Sequence, residues 1–145
     1  MASNLLRFVL DTNIVVKAFR SPTGASALLL RLIRHGDAQM LVSPPLFFEY
    51  EQVLARPEHL AAAGASQAEM NRFLDVLAHV LTPVNIHFLW RPQLNDAEDE
   101  MVLEAAVNGG ADAIITFETA TFAGPARSFG IDVVTPGPVL SRIRP

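Results

Sequence analysis

Four acids stand where an α/β chain brings segments together: Asp11, Glu49, Asp99 and Glu118. Carboxylates repel one another, so gathering several becomes favourable when a hard divalent cation neutralises them. The 145 residues include no cysteine, which removes disulfides and thiolate ligands, so any metal must be held by oxygen or histidine. The four histidines, His35, His59, His79 and His87, show no ligand spacing and read as surface or helix-end residues. The chemistry in prospect is therefore that of a carboxylate metal site.

Each acid also has a plainer explanation. Asp11 ends the run Phe8-Val9-Leu10-Asp11-Thr12-Asn13, as a buried parallel strand does when it delivers an acid to the carboxyl edge of a sheet. It is read equally well as an Asx turn or as the cap of the next helix. Thr12 and Asn13 add a hydroxyl and an amide able to orient a carboxylate or bind water. Glu49 and Glu51 flank the apolar face of one helix on opposite sides, so periodicity does not choose between them. Asp96 and Asp99 suit a helix N-terminus, but four acids in Asp96, Glu98, Asp99 and Glu100 exceed what capping requires. Glu118 follows the strand-like Asp112 to Thr116 at its carboxyl end and otherwise reads as a loop acid. Asp112 begins that strand, at the opposite edge, and is not expected in the site.

The elements that must position these acids alternate short apolar runs with helical periodicity, the pattern of a parallel α/β sheet. Strands are expected at Phe8 to Leu10, Gln39 to Val42, Ala113 to Ile115 and Ile131 to Val134, with a short one within Val84 to Leu94. Ala25, Leu28, Leu29, Leu32 and Ile33 predict the core face of a helix ending at Gly36. Ser43-Pro44 opens a helix to about Ala55, ended by Arg56-Pro57. Ser66 and Glu69 form a capping-box pattern before a third helix that Pro83 stops. Asp96 opens a helix closed by Asn108-Gly109-Gly110; Ala120 to Phe129 and a segment from about Pro138 complete the set. No repeat, linker or low-complexity segment suggests a second domain, so residues 1–145 read as one.

Half the residues are hydrophobic, yet no apolar run approaches a membrane span. The opening Met-Ala-Ser-Asn-Leu-Leu-Arg lacks the long apolar stretch of a signal peptide, and a soluble cytoplasmic protein is expected. Net charge is 11 minus 15, or −4, which argues weakly against a partner held mainly through phosphates. Metal ions at an acidic site supply positive field by another route. Lys17, the sole lysine, and Arg20 lie just after the first acidic motif.

In order, Val9 to Asn13, Ser43 to Leu54 with Glu49-Tyr50, Asp96 to Ala106, and Gly110-Ala111-Asp112-Ala113-Ile114-Ile115-Thr116 resemble the PIN-domain family. These are metal-dependent ribonucleases that include toxins of bacterial toxin–antitoxin pairs. Glu49-Tyr50 and the Asp-x-x-Asp before Val102-Leu103 look like the VapC-like subgroup of toxin components. The resemblance implies a three-layer fold, a central parallel sheet flanked by helices, with three or four acids holding Mg²⁺ or Mn²⁺. Carried over, the matching residues are Asp11, Glu49 and Asp99, which favours Glu49 over Glu51. Thr12, Asn13, Asp96 and Thr116 would orient them. Relatives often carry Thr-x-Asn-x-x-Asp-Phe or Thr-x-Asp at the last junction, whereas this chain reads Thr116-Phe117-Glu118-Thr119-Ala120-Thr121-Phe122. Either Glu118 takes over as the fourth acid or the site has three carboxylates.

The resemblance further implies an RNA substrate and an antitoxin partner. The apolar helix Ala25 to Ile33 would serve a homodimer, a higher oligomer or an antitoxin, although its own core explains it first. Two rivals remain in view. A catalytically weakened PIN fold would act as a protein-binding module, and a phosphatase of the haloacid dehalogenase type also starts from a strand ending in aspartate. That phosphatase class usually needs Asp-x-Asp, and Asn13 occupies the second acidic position.

Overall fold

In the computed structural model, Arg7–Leu10 forms β1, and Phe8, Val9 and Leu10 are fully buried. The structure describes residues 5–88, 93–94 and 96–143. After β1 come α1 (Thr12–Arg20), α2 (Ala25–His35), β2 (Gln39–Val42), α3 (Pro44–Leu54), α4 (Pro57–Ala63), α5 (Gln67–Val80) and β3 (Thr82–Pro83). Then follow α6 (Ala97–Gly109), β4 (Ala113–Ile115), α7 (Thr119–Arg127), β5 (Asp132–Val134) and α8 (Pro136–Leu140).

All five strands are parallel, in the order β3-β2-β1-β4-β5, and helices flank the sheet in the expected three-layer α/β arrangement. The chain winds outward from β1 through β2 to β3, then returns to the other side of β1 for β4 and β5. The direction of winding therefore switches between β1 and β4. In open parallel sheets the crevice at such a switch, outside the carboxyl ends of the strands, is where ligands bind. The register pairs Leu10 with Ile115, so the next residues out, Asp11 and Thr116, are neighbours at that crevice.

Four expectations are corrected. The edge strand β3 is Thr82–Pro83, ahead of the stretch from Val84 to Leu94, of which residues 89–92 lie outside those described. Pro83 ends the helix as expected and then sits in an edge strand, where its missing donor is tolerated; Val84 N–H continues the contact to Val42 O at 2.9 Å. Pro57 does not leave a loop behind it: it occupies the first turn of α4, where proline is favoured, and Gly64 closes that helix. On α2 the buried residues are Ser26, Ala27, Leu29, Leu30 and Ile33, whereas Ala25 and Leu28 are exposed. The run Ala-Leu-Leu-Leu-Arg-Leu-Ile permits two overlapping stripes, and packing against α1 and α8 selects the other one. The last helix starts at Pro136, capped by Thr135, rather than at Pro138.

Helix α6 carries the acid-rich turn and lies against β1, β2 and β4. Its close approach depends on Gly109, where an added Cβ would come within 2.9 Å of Val84 Cγ2 and 3.0 Å of Leu41 Cδ1. Gly110 then takes a left-handed conformation, φ 64°, and ends the helix. At the other end, Glu100 is buried and its Oε1 accepts the N–H groups of Gln93 and Leu94, both at 2.7 Å. These contacts fix the start of α6 and with it the acids of its first turn.

Candidate functional site

Asp11 occupies the N-cap position of α1 but makes no side-chain cap bond. Its N–H continues the β1–β4 ladder to Ile115 O at 2.9 Å, and its carboxylate accepts a hydrogen bond from Thr116 Oγ1 at 2.7 Å. Thr116 is fully buried, and its own N–H reaches Val134 O at 3.0 Å. The same hydroxyl oxygen accepts the Glu118 N–H at 2.9 Å, so one side chain ties the Asp11 carboxylate to the backbone that presents Glu118. Thr116 thus orients Asp11 directly. Burial raises the Asp11 carboxyl above its ordinary value; the Thr116 bond opposes this and the Glu118 charge adds to it.

The helix α3 reaches the same point through Tyr50. Its buried hydroxyl donates to Leu10 O at 2.6 Å, pinning α3 against the end of β1. Glu49, the preceding residue, faces the cleft, and Glu51 does not line it. The physical sense of the Glu-Tyr pair is that the tyrosine anchors the helix and the glutamate is aimed. Burial first, and then the neighbouring Glu98, raise the Glu49 carboxyl.

Asp96 performs the capping of α6, its Oδ1 accepting the Glu98 N–H at 2.9 Å. Asp99 is thereby left to face the other acids. Burial and the charges of Asp11, Asp96 and Glu118 push it up to about 6. Glu118 is exposed and, although it precedes α7, makes no side-chain cap bond. Among the described residues, Asp11, Asp99 and Glu118 each offer one oxygen within 4.8 Å of the others. No lysine, arginine or histidine among the described residues forms an ion pair with these three. Three convergent oxygen donors with no ion pair among the described residues suit a hard ion such as Mg²⁺ or Mn²⁺. The altered last junction thus brings Glu118 into the trio, whereas Glu49 lines the same cleft but is not one of the three.

These acids form the floor of a cleft of about 730 Å³. Thr12 and Asn13 line it too, and Asn13 Oδ1 is buried with no hydrogen-bond partner. Residues that sequence patterns did not single out for the site complete it: Glu98 beside Glu49, Arg56 and His59 from the end of α3 and α4, and Phe117. Lys17 and Arg20 stand on the α1 side. Proline followed seven residues later by glycine was the available signal for α4; a lone histidine or phenylalanine carries none. Asp112 lies outside the site as expected, its Oδ2 accepting the Arg7 N–H at 2.8 Å at the other end of the sheet.

A family model described as PIN domain matches residues 7–120, a span that holds all four acids. The chain belongs to the PIN-domain family. No curated protein matches it in sequence. Among solved structures this PIN domain is similar to a chain of VapBC2 from Rickettsia felis bound to a DNA fragment from their promoter. The identity is 15% over 88% of this chain and 97% of that one, with a TM-score of 0.54. It is also similar to a chain of FitAB bound to an IR36 DNA fragment, with 16% identity, 89% and 94% coverage and a TM-score of 0.57. At such identities the likeness is one of fold, and the chemistry of this PIN domain has to be argued from its own cleft.

Proposed function

We propose that this protein is a metal-dependent endoribonuclease and the toxin component of a toxin–antitoxin pair. The observation that carries the nuclease reading is the convergence of Asp11, Asp99 and Glu118 at the sheet's switch point. Asp11, Asp99 and Glu118 would hold the Mg²⁺ or Mn²⁺, with Glu49 at its side. A divalent ion bound there supplies charge neutralisation at the scissile phosphate and makes a water molecule more acidic.

The chain's own residues supply the rest. Thr116 holds the Asp11 carboxylate in one orientation, and Asp96 caps α6 so that Asp99 stays in register with it. Glu49, whose carboxyl is raised by burial and by Glu98, lines the same cleft and would accept the proton of the attacking water. The water oxygen forms the new bond to phosphorus as the ester bond breaks, leaving a phosphomonoester on one fragment and a hydroxyl on the other. Lys17, Arg20 and Arg56 offset the acidity of the floor for an approaching polyanion.

The toxin reading is supported by family membership and by the likeness to chains of VapBC2 and FitAB. A groove of about 480 Å³ between α1, α2 and α5, with Phe19, Leu30 and Phe73 inside and Arg31, Arg34 and Arg72 around them, offers a protein partner an apolar seat. Among the described residues no helix is long and apolar enough to cross a membrane. The deciding experiment is cleavage of RNA with Mg²⁺ or Mn²⁺ by wild type and Asp11→Asn. Activity in the wild type alone supports the assignment, and equal activity in both removes it.

A further inference from the structure

We propose that Phe117 is a stacking platform for one unpaired base of the RNA, the base next to the scissile phosphate. This rests on the nuclease reading and names a residue that positions the substrate in the same cleft.

Five large hydrophobic residues are exposed among those described, and single ones of this kind need no explanation. Phe117 differs from the other four in lining the acidic cleft, with 48% of its surface open. It sits between Thr116, which holds Asp11, and Glu118, one of the three convergent carboxylates. Its backbone is fixed on both sides: Thr116 N–H bonds to Val134 O and Glu118 N–H to Thr116 Oγ1. This aromatic ring, half open to water on a fixed backbone and adjacent to a carboxylate of the trio, is not part of the buried core. It is placed to receive a flat apolar surface of the substrate.

The cations of the same cleft show how a strand would reach it. Lys17 and Arg20 lie on the α1 side, Arg56 and His59 on the α3–α4 side. His59 Nδ1 is buried without a partner, while the residue itself is part of the cleft wall. A phosphate backbone held between these two rims crosses the acids at its scissile phosphate, and the base next to that phosphate comes over Phe117. Stacking on aromatic rings is tolerant of sequence because every base has a π face, and in RNA it requires bases that are not already paired. Duplex RNA keeps its bases stacked inside, so it would meet the charges and miss the ring.

The test couples the ring to the base. A fluorescein-labelled single-stranded RNA oligonucleotide and a set of copies with one abasic position each are bound to wild type, Phe117→Ala, Phe117→Trp and Phe48→Ala. Binding is followed by anisotropy with Ca²⁺, and cleavage is followed in parallel with Mn²⁺. Phe48 is an exposed aromatic that does not line the cleft and serves as the control. Loss of one stacked base weakens binding by roughly tenfold to a hundredfold. The expected pattern is that loss for Phe117→Ala, retention in Phe117→Trp, and no change in Phe48→Ala. One abasic position should weaken wild type by the same factor yet leave Phe117→Ala unaffected, because ring and base act as one contact.

Equal abasic sensitivity in wild type and Phe117→Ala overturns the proposal. RNA cleavage without that coupling overturns the stacking alone; the coupling without cleavage by the wild type overturns the nuclease reading alone. Absence of RNA binding by the wild type overturns both.

Discussion

The strands β1 and β4 run side by side, and each has an aspartate just beyond one end. Asp112 precedes β4 at the amino edge, where it is exposed and accepts the Arg7 N–H. Asp11 follows β1 at the carboxyl edge, where it is buried beside Asp99 and Glu118. Each side chain accepts one hydrogen bond across the same strand pair, yet their surroundings are opposite. A solvated acid with one donor is stable as it stands. A buried acid facing two more, with no ion pair to any cation among the described residues, destabilises the metal-free fold and gains when a cation is bound. Under the proposed function, the difference separates an acid that serves the fold from one that serves chemistry.

The largest effect should follow from breaking the carboxyl-edge member. Asp11→Asn keeps the shape and the acceptor for Thr116 but removes one charge from the trio. Metal catalysis contributes several kcal/mol of transition-state stabilisation, so RNA cleavage with Mn²⁺ should fall by about a thousandfold or more. A single-turnover cleavage assay measures it, and a loss smaller than tenfold would show that Asp11 is no ligand.

The next effect concerns Asp99, and its sign distinguishes a ligand from a structural acid. Its folded value of about 6 lies above the ordinary 3.8, so between those values the folded state binds more protons than the unfolded one. Stability therefore falls as pH rises through this window, the reverse of a paired carboxylate. Metal-free wild type should melt at a lower temperature at pH 7 than Asp99→Asn, and the gap should close as pH falls toward 4. Saturating Mn²⁺ should raise the melting temperature of wild type more than that of the variant. Melting curves at four pH values, with and without metal, are sufficient. A variant that melts below wild type at pH 7 without metal contradicts the strain argued for the cluster.

A smaller effect is expected one shell out, at Thr116. Thr116→Val removes the donor to Asp11 and the acceptor for Glu118 N–H while retaining volume. Groups that orient metal ligands typically change affinity by about 10–100-fold when removed. Mn²⁺ titration by calorimetry should show a loss in that range, with Thr116→Ser restoring most of it.

The contrast between the two edges also explains what could be read from the chain in advance. Asp11 was legible because a buried strand ending in an acid is a local pattern, and Asp112 was excluded by the same logic at the other end. The choice of Glu49 over Glu51 was not local: it came from the family resemblance, and the structural reason, Tyr50 anchoring α3 on Leu10 O, spans 40 residues. The helix α4 is hidden in the sequence because Arg56-Pro57 reads as an ending, although proline is equally an opening. With α4 go Arg56 and His59. The core face of α2 is ambiguous in the sequence for a related reason: leucine in three consecutive positions leaves the phase of the stripe to whichever neighbours pack on it. Phe117 had no sequence signal because a lone aromatic beside a strand is ordinarily core, and only the cleft shows it open.

The smallest effect completes the pair. Asp112→Asn makes the same chemical change as Asp11→Asn, a carboxylate to an amide on the same two strands. The amide oxygen still accepts the Arg7 N–H, and the exposed side chain faces no other acid of the site. Stability should move by no more than about 0.5 kcal/mol, as for other surface substitutions. RNA cleavage and Mn²⁺ affinity should equal those of wild type. Because both variants lower the net negative charge by one, any general effect of charge on RNA binding is shared and cancels in their comparison. What survives is the effect of place: one edge of the sheet gathers carboxylates at the switch of its winding, and the other holds Asp112 in water against the Arg7 N–H. A substantial loss of activity in Asp112→Asn would mean that the loss in Asp11→Asn reports on the β1–β4 pair as a whole and not on a metal ligand.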